Sequence, residues 1–225
     1  MLTAAVLDAD WAARRLIGRG LRRDRLDPAG ADPTTPASFE TSVIRLPIEL
    51  ATQLRAVADA LVAIQPMQYP CPAETIHVTV CGPAHLTAEH PAEAALDDLR
   101  DLVPPLAGCR LRVVRLGIGD TSLFAGIEAH GADLAATRRE LAGRWGVPTR
   151  GGPAAMVIGR MFWANVVRFT EPPSPAFIAA ARRYRRVRHA GFAPETIELV
   201  RTNRTMAPAE TTILGRVEVP AAAEG

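Results

Sequence analysis

The chain has 225 residues, of which 48% are hydrophobic and 22% charged, so it can bury a core of domain size and is not a disordered segment. A formal net charge of +2 gives no ground by itself for a nucleic-acid partner. All 26 basic residues are arginine, which excludes lysine Schiff-base chemistry and Walker-type phosphate loops.

An arginine- and alanine-rich chain without lysine points to a GC-rich bacterial genome. Cys71, Cys81 and Cys109 make an odd number without a C-x-x-C pair. No disulfide framework or structural zinc site is therefore expected, and a reducing compartment is the default. The opening residues MLTAAVLDADWAARRL meet Asp8 and Asp10 without a basic stretch, so they do not read as a secretory signal. No apolar run has the length of a bilayer crossing. The expectation is a cytoplasmic protein with no membrane partner, of unassigned oligomeric state.

Residues 3–23 read as an arginine-studded helix, and 27–38, with three prolines and a glycine, as a linker. A domain is expected over 39–219, with lobes of roughly 39–105 and 106–219 and a tail at 220–225. SVIRLPIEL, from Ser42, reads as a strand ending at Pro47, and the spacing of Leu50, Leu54, Val57, Leu61 and Ile64 predicts a helix over 49–64. After Pro66, Pro70 and Pro72, the β-branched run ETIHVTVC predicts a strand over 74–81, closed by Gly82-Pro83. A helix over 88–103 follows, with Thr87 as its cap. A hairpin is expected over 109–129 with its turn at 119–122, then a helix over 132–145. MFWANVVRF predicts a strand over 161–169, followed by a helix over 174–189 and closing strands at 196–200 and 212–219. Strands and helices mixed in this order predict an α+β fold of two lobes.

The strand around His77 carries the chemistry. Residues two apart share a strand face, so simple alternation puts His77, Thr79 and Cys81 together, with Thr75 alongside. A histidine can move a proton near neutrality, and a hydroxyl beside it can hold an anionic oxygen. Read alone, the segment favours His77 as a half-buried strand histidine among residues of high β-propensity. Cys81 is open to two readings, a small core residue or a Cys-His nucleophile.

The His-Val-Thr-Val segment at 77–80, following a strand, a helix and a proline-broken loop, resembles the first H-x-T-x motif of the 2H phosphoesterase superfamily, which includes 2′-5′ RNA ligase-like proteins and cyclic phosphodiesterases. The resemblance spans about 39–219 in its order of elements. It implies two α+β lobes facing each other across a cleft, each with one H-x-T/S-x strand and no metal or cofactor. One histidine would serve as base and the other as acid, while the hydroxyls hold phosphate.

The second strand, FWANVVR at 162–168, departs from that pattern. Aligned on Arg168, Trp163 and Asn165 stand where histidine and threonine are expected; one pleat later, Asn165 and Val167 do. Alternation gives both registers the odd-numbered face and turns Arg168 to the other side unless a bulge re-aims it. His85, His90, His130 and His189 lack strand context. The resemblance thus implies a phosphodiester-acting enzyme on a 2′,3′-cyclic or 2′-5′ linkage in RNA or a nucleotide. Its catalytic set would be His77, Thr79 and Asn165, with Trp163 and Arg168 binding substrate. The alternatives are a nucleotide- or RNA-binding protein without turnover, and an enzyme of the same fold working on a non-phosphate small molecule through one histidine. Five arginines over 182–188 make either a solvated helix face or a backbone-tracking patch.

Overall fold

The computed structural model describes residues 31–148, 161–186 and 191–221; the proposed helix at 3–23, most of the tail and His189 lie outside them. In chain order the elements are β1 (Phe39–Arg45), α1 (Ile48–Val62), β2 (Tyr69–Pro70), β3 (His77–Ala84), α2 (Ala92–Leu102), β4 (Arg110–Ile118), β5 (Ser122–His130), α3 (Leu134–Arg144), β6 (Phe162–Arg168), α4 (Pro175–Tyr184), β7 (Thr196–Thr202) and β8 (Thr212–Glu218). Two antiparallel sheets result, ordered β3-β1-β7-β8 and β2-β6-β5-β4. The α+β arrangement is as expected.

The lobes are not consecutive halves of the chain. β7 lies along β1 from Phe39↔Thr202 to Val43↔Glu198, so the closing strands complete the first sheet, while Tyr69–Pro70 pairs with β6 of the second. Pairing β7 to β1 satisfies an edge that a sheet confined to 39–105 would leave open. The linker reading also fails for 31–38. Asn203 Nδ2 donates to the carbonyls of Pro33 (3.1 Å) and Thr35 (2.7 Å), and Ser38 N donates to Thr202 O at 3.0 Å. These bonds tie the segment to the end of β7.

Leu50, Leu54, Ala58 and Leu61 form the buried stripe of α1 and join Ile44, Val78, Val80, Leu99, Leu116, Phe162, Val166 and Phe177 in one core. Helix α2 begins at Ala92 rather than 88, because Pro91 supplies the start and Thr87 instead accepts from His90 N at 3.2 Å in the preceding turn. The strand expected from 74 begins at His77, since Ala73–Thr75 form a 3-10 turn after Pro72. At its other end β3 runs through Gly82 to Ala84. A side chain at Gly82 (φ +139°) would place its Cβ 2.5 Å from Thr41 Oγ1, so glycine is required there.

Candidate functional site

Alternation in β3 holds only as far as Thr79. Against β1 the register runs Arg45↔His77, Ile44↔Val78 and Val43↔Thr79, then jumps to Ser42↔Cys81, leaving Val80 as an extra residue. This bulge buries Val80 and Cys81 together in the core. Cys81 therefore does not share a face with His77 and Thr79, contrary to simple alternation. Burial pushes its thiol up to about 12, so it is no thiolate nucleophile near neutrality.

Strand β6 repeats the device. Against β5 it runs Phe162↔Ile127, Trp163↔Gly126, Ala164↔Ala125 and Phe124↔Asn165, then jumps to Leu123↔Val167, with Val166 extra. Val166 and Val167 are both buried, and the face carrying Trp163 and Asn165 is taken over by Arg168. This bulge re-aims Arg168 from the opposite face that simple alternation would give it. The alternative register through Val167 also falls, because Val167 has no exposed surface.

The extra residue stands three places after His77 in β3 and three places after Trp163 in β6. Backbone geometry thus matches Trp163 to His77 and Asn165 to Thr79. The two strands pack against each other where the sheets meet.

His77 is 9% exposed and its Nδ1 lies 2.7 Å from Thr75 O. A carbonyl only accepts, so Nδ1 carries the hydrogen and Nε2 keeps its lone pair. Burial, aided by the charges of Arg45 and Arg168 and opposed by the Thr75 carbonyl, pushes His77 down to about 4. The imidazole is neutral at pH 7 and able to accept a proton. Thr75 therefore contributes its backbone, while its hydroxyl donates to Pro72 O at 2.9 Å.

Thr79 is half-buried, and its hydroxyl has no hydrogen-bond partner among the described residues. Asn165, also half-buried, accepts from Ser122 Oγ through Oδ1 at 2.8 Å, which fixes the amide and leaves Nδ2 as the donor end. Trp163 is 37% exposed, with the Phe124 ring 6.4 Å away at 57°. Beside His77, the first sheet carries a charge row in which Glu198 accepts from Arg45 Nε and Arg216 Nε, both at 2.9 Å. Burial works to raise the Glu198 carboxyl, but these two bonds outweigh it and hold it below its usual range.

Arg138 of α3 joins the two motif strands. Its guanidinium donates to Thr79 O (2.7 Å) and Val80 O (2.9 Å) at the β3 bulge and to Met161 O (2.9 Å) just before β6. It also lies 3.8 Å over the Phe162 ring. A bulge interrupts the ladder and leaves carbonyls in need of donors, and a five-donor fork can serve several at once.

Ser122, Arg138 and the Arg45–Glu198 pair escaped the sequence reading. The bulges had a trace in the sequence: an apolar pair, Val80-Cys81 and Val166-Val167, breaks the alternation at the same offset in both strands. The remaining described histidines lie elsewhere. His90 Nε2 is 3.0 Å from Asp98 Oδ2, His130 Nε2 is 3.6 Å from Glu128 Oε2, and His85 lies in the exposed loop after β3. Among the described residues no cluster of His, Cys, Asp and Glu is suited to a metal ion, and no helix is long and apolar enough to cross a membrane.

No family model matches the chain, and no curated protein matches it in sequence. Solved structures do match. TT0787 of Thermus thermophilus superposes with a TM-score of 0.54 at 18% identity, covering 83% of this chain and all of that one. The conserved protein of unknown function ATU0111 from Agrobacterium tumefaciens gives 0.53 at 14% identity, covering 89% and 93%. E. coli LigT complexed with ATP gives 0.50 at 17% identity, covering 82% and 99%. The chain has the fold of the 2H phosphoesterases.

Proposed function

We propose that the chain binds a phosphodiester at the face shared by β3 and β6 and hydrolyses it slowly, with His77 as its sole side-chain proton carrier. The observation that carries this reading is the Thr75 carbonyl at 2.7 Å from His77 Nδ1, which places the ring hydrogen on Nδ1 and leaves Nε2 unprotonated on the face of Thr79. Water attacks phosphorus and passes its proton to Nε2. The P–O bond to the leaving oxygen breaks, and that oxygen takes its proton from solvent. Thr79 and the Asn165 amide hydrogen-bond the phosphate oxygens, and Arg168 adds positive charge.

A 2′,3′-cyclic or 2′-5′ linkage is the substrate class that fits this reading, and E. coli LigT, which shares the fold, was crystallised with ATP. Without a second proton donor, turnover is expected about 10²- to 10⁴-fold below that of a two-histidine site. Trp163 in the place of the second histidine favours the other reading, a binding protein without turnover. Both are tested by titrating cyclic and 2′-5′ linked nucleotides calorimetrically and following their hydrolysis. Binding with slow turnover that His77→Ala abolishes supports the enzyme, and binding without turnover supports the binder. No binding to the folded wild type overturns both and leaves non-phosphate chemistry at His77.

A further inference from the structure

Trp163 occupies the backbone position in β6 that His77 occupies in β3, two residues before a hydrogen-bonding side chain and three before the extra residue of a bulge. A proton-transfer residue has been replaced there by a large flat ring that cannot exchange a proton near neutrality. Strand alternation turns Trp163 away from its buried neighbours Phe162 and Ala164, and the indole is 37% exposed on the site face. Its orientation is held. Phe124 of β5 packs against it at 6.4 Å, and the Arg138 guanidinium, itself fixed by three backbone carbonyls, lies 5.9 Å from the ring centroid. Ser122 fixes Asn165 two residues on, through the 2.8 Å bond to Oδ1.

We propose that Trp163 is a stacking platform, and that the β6 half of the site selects phosphate esters carrying a planar aromatic ring system such as a nucleobase. This rests on the phosphodiester reading and makes it more specific. The ring of the ligand lies on the exposed part of the indole while its phosphate reaches Asn165 Nδ2 and Thr79. A ring already immobilised by Phe124 and Arg138 loses little freedom on binding, so most of the stacking attraction is retained. Stacking of a base on an aromatic side chain is worth roughly 1–3 kcal/mol, hence a preference on the order of tenfold or more for ring-bearing over ringless esters.

The test compares adenosine 3′-monophosphate with ribose 5-phosphate by calorimetry on the wild type, Trp163→Ala and Trp163→Phe, each checked for native circular dichroism. Nucleotide-induced quenching of tryptophan fluorescence is followed in parallel in the wild type and Trp163→Phe. The expected result is nucleotide binding at least tenfold tighter than ribose phosphate in the wild type. Trp163→Ala should reduce that preference to near unity without changing ribose phosphate affinity, Trp163→Phe should keep most of it, and the quenching should vanish in Trp163→Phe. Equal affinity for the two esters, unchanged in Trp163→Ala, would overturn the platform and leave the phosphate reading standing. No binding of either ester to the folded wild type would overturn that reading and the platform with it. If Trp163→Ala fails to fold, the comparison of esters on the wild type and the quenching difference against Trp163→Phe still decide the matter.

Discussion

Strands β3 and β6 bend at the same place and then differ in chemistry. Each presents two alternating residues to the shared face, inserts one extra valine, and buries the residue after it: Val80 then Cys81 in one, Val166 then Val167 in the other. On that common frame β3 displays His77 and Thr79, whereas β6 displays Trp163 and Asn165. One half has a group able to change protonation state, and the other has a ring and an amide that do not. The backbone device is thus separable from the chemistry it presents, because register and bulge depend on apolar residues facing the core while the outward side chains are free of that constraint.

The largest expected effect comes from making the two strands alike. Trp163→His with Asn165→Thr should raise phosphodiester turnover by about 10²-fold or more, through supply of the missing proton donor. The measurement is kcat on a 2′,3′-cyclic nucleotide. Asn165→His with Val167→Thr should give no gain, because residue 167 faces the core, and it should lower stability by roughly 1–3 kcal/mol through a buried hydroxyl. Activity in the second variant and not in the first would break the register deduced from the bulges.

A second test severs the link between the strands. Arg138→Ala strips three backbone carbonyls of their charged donor. A loss of about 2–3 kcal/mol in urea denaturation is expected, since an unsatisfied buried acceptor costs roughly 1–3 kcal/mol and solvent can reach some of the three. Arg138→Lys should recover only part of this, because an ammonium cannot span the same fork. A change below about 0.5 kcal/mol in Arg138→Ala would mean that the strands hold their spacing without the guanidinium.

The third test uses the one titratable member of the comparison. His77 is pushed down to about 4 in the fold against an ordinary 6.5, so between these values the unfolded chain binds more protons than the folded one. Its contribution to stability is fully present above pH 6.5 and declines as pH falls towards 4. The total is on the order of 3 kcal/mol at the bottom of the window. Stability measured by denaturant at pH 7 and pH 4.5, wild type against His77→Asn, isolates this share from the carboxylates. An unchanged pH dependence in the variant would show that His77 titrates near its ordinary value, and would remove the argument for a neutral base held by burial.

The sequence by itself determined the order of elements, the apolar stripe of α1, and the candidate pairs His77 with Thr79 and Trp163 with Asn165. These follow from local periodicity and residue chemistry, which a linear reading captures. Only the tertiary structure decided which way Cys81, Val167 and Arg168 point, because a bulge is defined by the partner strand against which one residue goes uncounted. The partner also decided the lobes: β7 and β8, far along the chain, close the first sheet because β1 has an edge to satisfy. The roles of Ser122, Arg138 and Glu198 were likewise beyond a linear reading. Each acts through partners tens to more than a hundred residues away, such as Ser122 on Asn165, Arg138 on Thr79 and Glu198 on Arg45, and no local pattern encodes those contacts.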